Sequence, residues 1–224
     1  IYGVWQVVLN RFDSFHIGMT ATPNEYIDKN TFRFYRCKDD TPDYFYGIKE
    51  AFQKEYLIPY TFSKSITKVL QDGIDVDDEH YEPSEFYRKF INNPTNELMV
   101  NQFEREANEI HNTIAPGQEI GPGKTIVFAI NKRHAADLTK LFNEKHPELK
   151  GGYAQIITSD TPNVEQRIID FKTKDYPQIA VSVGMLDTGF DCPEVIHIIM
   201  ARPIRSAILY QQIRGRGTRT APWI

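Results

Sequence analysis

Short apolar segments alternate with amphipathic segments from Lys124 to the C-terminus, and this alternation restricts the possible folds more than any other feature of the sequence. The apolar segments, which are rich in residues typical of strands, are 125–130, 153–158, 178–183 and 195–200. Helical patterns follow the first, second and fourth of them, whereas a loop is predicted between the third and the fourth. The apolar positions of the first two patterns are Ala135, Leu138, Leu141, Phe142, Val164, Ile168 and Phe171. Because apolar strands that alternate with amphipathic helices are typical of parallel α/β proteins, the sequence predicts a parallel sheet with helices on both faces.

Capping residues predict where two of these helices begin. Thr161 is followed by Pro162, which is the pattern of an N-cap residue with proline in the first turn. Ser206 is placed to cap a last helix, which carries Ile213 on its apolar side. In open parallel sheets, ligands bind at the carboxyl ends of the strands, so we expect functional residues in the loops that follow them.

The rest of the chain divides into two parts with weaker patterns. Residues 1–59 are predicted to belong to another α/β unit, residues 60–123 to form a connector, and residues 124–224 to form the second unit. In the first unit, the pattern predicts a strand over 15–20 and a helix over 47–56. That helix is expected to turn the following side chains inward: Ile48, Ala51, Phe52 and Tyr56. The connector holds an acidic stretch, in which a solvated loop is expected, and a polar segment over 96–113 that could form one helix.

The composition excludes several classes of protein. The net charge of −4 means that any contact with nucleic acid must come from a local patch. No apolar run approaches the roughly 20 residues needed to span a bilayer, so we expect no membrane association. Cys37 and Cys192 are far apart and lack metal-ligand spacing, which indicates a reducing cytoplasm and no metal site. The chain does not begin with methionine, and we therefore expect it to be a piece of a longer polypeptide.

The segment Gly121-Pro-Gly-Lys-Thr125 resembles a phosphate-binding loop but does not meet its requirements. Such a loop needs a further glycine at the position that Gln118 occupies, with a strand before it and a helix after it. Here a predicted strand follows the segment, so a turn is predicted instead. No acidic pair follows a buried strand in the manner of a Walker B element. By itself, the chain is expected to lack the residues that hold Mg-ATP.

The segment Gln212-Ile-Arg-Gly-Arg-Gly-Thr-Arg219 carries the strongest chemical signal. A guanidinium is permanently charged and forked, so it can bind phosphate oxygens through two parallel hydrogen bonds. Arg216 and Arg219 lie three residues apart beside Gly215 and can point into the same cleft. Taken alone, the segment could also be a solvated basic helix end.

Three other segments place polar or flexible residues at predicted strand ends. The loop after residue 183 contains Gly189 and Asp191, which alone could be an ordinary Asx turn. Thr20-Ala-Thr22-Pro follows the first predicted strand, and Thr158 and Ser159 end another. Small hydroxyl residues at strand ends suit contacts that position nucleic acid without reading its sequence.

These segments together resemble the motifs of superfamily 2 helicases, in the order that this superfamily requires. The matches to its Gln-x-x-Gly-Arg-x-x-Arg signature, motif VI, are Gln212, Gly215, Arg216 and Arg219. The resemblance implies a RecA-like fold in which Arg216 and Arg219 act on a nucleotide held by a first RecA-like domain, together with Mg²⁺. Thr20 and Thr22 match motif III, which couples ATP hydrolysis to closure on nucleic acid. In the motif V loop, Gly189 and Asp191 would lie on the nucleotide side.

The resemblance also implies which residues contact nucleic acid. Ser182, which begins motif V, would touch a phosphate, and Thr158 and Ser159 could hydrogen-bond the backbone. Arg202 and Arg205 could contact phosphate or could brace the last helix; the sequence leaves both roles open.

The segments Tyr56-Leu-Ile-Pro-Tyr60 and 179–219 are further similar to the restriction (R) subunit of type I restriction–modification enzymes. That resemblance implies an ATP-dependent DNA translocase within a restriction endonuclease. Its partners would be duplex DNA and the modification and specificity subunits, and this piece alone would have weak or no ATPase activity. Two alternatives stay open: another DNA or RNA helicase of the superfamily, and a non-catalytic nucleic-acid-binding module, which the missing phosphate loop favours.

Overall fold

The first half of the chain contains short helices, a small hairpin and one long helix. The computed structural model describes residues 7–8, 10–23, 31–65, 68–76, 79–86, 93–114, 123–187 and 189–220. In the first half, its helices and strands are α1 (Thr31–Phe34), α2 (Ile48–Gln53), α3 (Lys68–Asp72), β1 (Ile74–Val76), β2 (Glu79–Tyr81) and α4 (Asn93–Ile114). β1 and β2 pair as an antiparallel hairpin, where the sequence predicted a solvated loop.

The predicted strand over 15–20 is wrong, because these residues adopt no regular structure. Phe15 and Ile17 are 102% and 88% exposed, and the described residues provide no partner strand to which this segment could pair. The predicted helix over 47–56 is present but shorter, since α2 ends at Gln53. Of its expected inward side chains, Ala51 is buried, whereas Ile48 and Tyr56 are largely exposed.

The helix α4 packs into the second unit, although the sequence assigned it to the connector. It begins at Asn93, three residues earlier than predicted, with Pro94 in the first turn, where a missing N–H is harmless. Val100 is fully buried in the same core as the sheet that follows. The Phe103 ring meets the rings of Phe142 and His197 edge-on, with centroids 5.8 and 5.5 Å apart.

The second half forms the parallel α/β unit that the sequence predicted. Its elements are β3 (Lys124–Phe128), α5 (Lys132–Lys145), β4 (Ala154–Ile157), α6 (Val164–Thr173), β5 (Ile179–Ser182), β6 (Val195–Met200) and α7 (Ala207–Arg214). The four strands form one sheet in the order β4-β5-β3-β6, and all three pairings are parallel. Every residue of the central strand β3 is buried, as expected for a strand covered on both faces.

Alternate residues of the strands point into two separate cores, which confirms that helices cover both faces. One core joins Val127 to α4 and to Leu138 and Phe142 of α5. The other joins Phe128 to Phe171 of α6 and to Ile213 of α7.

The structure confirms one predicted cap and corrects the other. The Ser206 side chain accepts a hydrogen bond from the Leu209 N–H at 3.2 Å, as a cap of α7 should. Thr161, however, does not cap α6, which begins after Asn163. Its hydroxyl instead accepts from the Thr158 N–H at 3.0 Å, and this bond closes the turn after β4.

Lys124 has a structural role that is incompatible with a phosphate loop. It begins β3 and is only 6% exposed, while Gly121 and Pro122 lie outside the described residues. Its ammonium group donates to the carbonyl oxygens of Lys174, Asp175 and Pro177. Three carbonyl acceptors match the three ammonium donors, so this lysine ties the start of β3 to the loop before β5.

A side chain covers part of the free edge of the sheet at β4. The Asn143 amide donates to the Ala154 carbonyl and accepts from the Ala154 N–H, both at 3.0 Å. It thereby makes both bonds that a neighbouring strand would make at that residue. Among the described helices, none is long and apolar enough to cross a membrane.

Candidate functional site

The loop after β5 and the arginine segment after α7 meet at the carboxyl ends of the strands. Arg216 donates through Nη1 to the carbonyl oxygen of Phe190 and through Nη2 to that of Asp187, the latter at 3.3 Å. The two acceptors are backbone atoms, so the position of this guanidinium depends directly on the conformation of the loop.

The same loop holds the second arginine. Arg219 Nη1 lies 2.5 Å from Asp191 Oδ1, and these side chains are 37% and 57% exposed. Phe190 and Cys192, on either side of Asp191, are buried. Because successive side chains of an extended segment point in opposite directions, the Asp191 carboxylate points outward. Arg216 and Arg219 therefore both contact the loop after β5.

Gly189 gives this loop its shape through its backbone conformation. Its φ is +70°, a region that residues with a Cβ rarely adopt, while no described atom beyond its chain neighbours lies within 4 Å of the place where a Cβ would be. Gly215 has an ordinary φ of −61° as the C-cap residue that follows α7, and its carbonyl accepts from the Thr218 hydroxyl at 3.3 Å.

A long hydrogen bond connects the arginine segment to the first unit. Gln212 Nε2 donates to Thr22 Oγ1 at 3.5 Å, at the limit of hydrogen-bond distance. Thr20 supports Thr22 through a bond from the Thr22 N–H to the Thr20 hydroxyl at 3.1 Å. The predicted motif III and motif VI residues are thus neighbours, although 190 positions separate Thr22 from Gln212.

Arg202, Asp187 and Arg216 form a buried polar cluster in which two atoms lack a hydrogen-bond partner among the described residues. Arg202 forms an ion pair with Asp187 at 2.7 Å, and both side chains are about six-sevenths buried, at 16% and 14% exposure. Asp187 Oδ1 and Arg216 Nε are buried and have no partner among the described residues. Burial and the neighbouring Arg219 lower the pKa of Arg216 from its ordinary value. Arg202 therefore braces the loop after β5, whereas the sequence left open a contact with phosphate or a brace for the last helix.

Two of the predicted nucleic-acid contacts are corrected by burial. Ser182 is fully buried as the last residue of β5, and its hydroxyl accepts from the Leu186 N–H at 3.2 Å. Thr158 is 4% exposed, and its hydroxyl is hydrogen-bonded to that of Thr161. Both side chains close turns, so in this conformation neither reaches a phosphate.

Two other predicted contacts are accessible. Ser159 is exposed and donates to Asp160, which pairs with Lys132 at the start of α5. That pairing lowers the pKa of the Asp160 carboxyl. Arg205 is also exposed, one residue before the α7 cap.

Sequence reasoning missed the roles of Asp187 and of the backbone carbonyl of Phe190. The only available signal was the acidic residue five positions after Ser182, and nothing in the sequence marks a carbonyl as an arginine acceptor. Among the described residues, no group of three His, Cys, Asp or Glu side chains is placed to hold a metal ion.

A parallel sheet with two arginines at its strand ends, beside a glycine-aspartate loop, defines the second RecA-like domain of a superfamily 2 helicase-type protein. The helicase conserved C-terminal domain family matches residues 106–221, and the chain belongs to this family. Within the superfamily it is most like the R subunits of type I restriction enzymes.

Individual relatives support this narrower likeness. The type I restriction enzyme EcoKI endonuclease subunit of Escherichia coli (strain K12) is 30% identical over 239 residues, which covers 96% of this chain and 19% of the relative. The EcoAI endonuclease subunit of Escherichia coli is 29% identical over 231 residues, which covers 96% of this chain and 27% of the relative. The chain thus spans about a fifth to a quarter of the length of these curated relatives.

One solved structure shares the fold over almost the whole chain. It is the fragment structure of an HsdR subunit of a type I restriction enzyme from Vibrio vulnificus YJ016, with a TM-score of 0.70 and 23% identity. The match covers 97% of this chain and 39% of that chain.

Proposed function

We propose that this chain is the second RecA-like domain, with a part of the first, of an ATP-dependent DNA translocase in a type I restriction enzyme R subunit. In this proposal Arg216 and Arg219 supply positive charge to a triphosphate that the first domain holds. The observation that carries it is the placement of both guanidinium groups on one loop, with Gln212 contacting Thr22 of the first unit.

The two arginines are suited to different tasks. Arg219 is partly exposed and its partner Asp191 is more exposed still, so a phosphate oxygen could replace that carboxylate as its anion. Arg216 donates to two backbone carbonyl oxygens, so its position would change whenever the loop changes conformation. We propose that closure of the two domains brings Arg219 to the γ-phosphate, where its charge stabilises the transferring group.

Nucleic acid would be bound by local contacts to its backbone. Ser159 and Arg205 are exposed at the carboxyl side of the sheet and suit phosphate oxygens. Because the net charge is −4, this binding would rely on such local groups. Duplex DNA is the proposed substrate, and the modification and specificity subunits of a restriction complex are the proposed partners.

The cofactor arrangement follows from the groups that are present. Lys124 is engaged by three carbonyl oxygens and does not serve a phosphate-binding loop, so ATP and Mg²⁺ would be held mainly by the first domain. This chain alone is expected to hydrolyse ATP weakly or not at all. Cys37 and Cys192 are free thiols, which supports the proposal that the complete protein works in the reducing cytoplasm.

The experiment is single-turnover ATP hydrolysis by the complete protein with duplex DNA, comparing wild type with Arg219→Ala. An arginine that contacts the γ-phosphate contributes on the order of 10³-fold to the rate, so a loss of that size is expected. Arg219→Lys should recover only part of the rate, since it keeps the charge but loses the fork. The matched control is Arg105→Ala, which removes an exposed arginine from α4.

A wild-type rate in Arg219→Ala would remove the arginine from the mechanism. The same assay with duplex RNA in place of duplex DNA separates the proposed translocase from an RNA helicase of the same superfamily. Stimulation by RNA alone would favour the RNA helicase, and no hydrolysis with either would favour a non-catalytic binding module.

A further inference from the structure

A short segment of the first half is attached by its backbone to the arginine segment. We call residues 57–60 the strap. Leu57 forms an antiparallel bridge with Arg219, and the Ile58 N–H donates to the Thr218 carbonyl at 2.8 Å. Thr218 is 2% exposed, so this bond is made at a buried point of the arginine segment.

A side-chain contact fixes the other end of the strap. The Tyr60 hydroxyl accepts from Arg214 Nη1 at 2.7 Å. The same guanidinium carbon lies 4.9 Å from the centre of the Tyr60 ring and 5.7 Å from that of Tyr210. Arg214 is thus held by a hydrogen bond and by two aromatic rings, which are favourable surroundings for a guanidinium.

The strap is also connected to the first unit. The N–H groups of Tyr56 and Leu57 donate to the Ala51 carbonyl at 3.0 and 3.3 Å, and Ala51 is a buried residue of α2. Pro59 fixes its own φ and favours an extended conformation at Ile58, so the strap is stiff for its length. A displacement of α2 would therefore be passed to the arginine segment.

The attachments flank Arg216 and reach the backbone of Arg219. Arg214 lies before this pair, and Thr218 lies between its two members. The two guanidinium groups themselves contact the loop after β5 and do not depend on the strap for a partner. The strap is thus bonded to the arginine segment, while the two guanidinium groups have their partners in the loop after β5.

We propose that the strap is a positioning element for ATP hydrolysis, with Tyr60 and Arg214 as positioning residues that align the arginine segment with the first unit. This inference rests on the proposed function. It differs from a merely structural role because it requires an effect on the rate of the chemical step.

The test uses the complete protein and the variants Tyr60→Phe, Arg214→Met and the double variant. Tyr60→Phe removes one hydroxyl and keeps a ring that is 40% exposed, so folding should be retained. The matched control is Tyr44→Phe, which removes the same group from a side chain that is 81% exposed. We would measure kcat and KM for ATP with duplex DNA, the melting temperature, and hydrogen exchange of the Ile58 amide.

Each single variant is expected to lower kcat by on the order of 3- to 30-fold, the range seen when residues that couple two sites are changed. KM for ATP should stay within about twofold, because nothing in the strap would touch the nucleotide. The double variant should lose no more than the larger single loss, since both changes break one contact. Exchange of the Ile58 amide should become faster in all three variants and stay unchanged in the control.

A kcat equal to that of Tyr44→Phe, or losses in kcat that follow the melting temperature, would overturn the proposal. Failure of the proposed function gives a different result: the wild-type protein itself would show no DNA-stimulated hydrolysis. The exchange measurement still decides about the strap in that case, because an unprotected Ile58 amide in the wild type would mean that the strap is not attached.

Discussion

Protonation of His134 should destabilise the domain at mildly acidic pH. This side chain is 3% exposed at the start of α5. Its Nδ1 accepts from the Ile130 N–H at 3.2 Å, which leaves Nε2 to donate to Asn96 Oδ1, also at 3.2 Å. Both bonds require the neutral ring with its hydrogen on Nε2. The free energy of unfolding should therefore depend on keeping this ring neutral.

The size of the effect follows from the pKa. Burial lowers the pKa of His134 from 6.5 to about 4. The unfolded chain therefore binds a proton between these values while the folded chain does not, so stability is complete above about pH 6.5 and is lost as the pH falls towards 4. A shift of about 2.5 units corresponds to about 3 kcal/mol, of which about 2 kcal/mol should be lost by pH 5.

The measurement is urea unfolding of this chain and of His134→Gln at pH 7, 6, 5 and 4. The carboxylates with lowered pKa values, such as Asp160 and Asp170, titrate in both proteins and cancel in the difference. The wild-type advantage over the variant should shrink by about 3 kcal/mol between pH 7 and pH 4. Parallel pH profiles would mean that the ring titrates normally in the folded protein, and the reasoning from burial would then be refuted.

Two further substitutions test the packing around the sheet. Lys124→Met should lower the free energy of unfolding by roughly 2 kcal/mol, because three carbonyl oxygens lose their donor, whereas Lys140→Met on the exposed face of α5 should change it little. Equal urea midpoints for these two variants would mean that the three hydrogen bonds of Lys124 do not stabilise the fold. Gly217→Ala should cost less than about 1 kcal/mol, since the new Cβ would meet only the flexible end of Ile198 at 3.2 Å. Gly189→Ala, at a φ of +70°, should lower the free energy of unfolding by about 1–2 kcal/mol. A larger loss of stability in Gly217→Ala than in Gly189→Ala would contradict this reasoning.

The sheet of the second unit could be predicted because its signal is local. Each strand from β3 to β6 is a short apolar run, and the helices that follow β3, β4 and β6 each have an apolar face of the right period. Burial on both faces then requires helices on both sides. The predicted strand over 15–20 failed for the opposite reason. A strand is stable only with a partner, and the described residues supply none to this segment.

The limits of prediction at the site are equally physical. The spacing of Arg216 and Arg219 places them together, and the resemblance to helicases associates them with Asp191. Whether a strand-end hydroxyl faces solvent or closes a turn depends on one or two residues of strand length. For that reason the burial of Ser182 and Thr158 could not be read from the sequence. The roles of Arg214 and Tyr60 could not be read either, because 154 positions separate them.

The contact between Asn143 and Ala154 bears on how this unit behaves when it is prepared apart from other proteins. An open sheet margin presents unpaired N–H and C=O groups, onto which a strand from another molecule can add. At Ala154 a side-chain amide already satisfies both groups, so an incoming strand would have to displace it to extend the sheet there. Replacing Asn143 with leucine would leave the margin open, and the preparation should then form larger particles on storage.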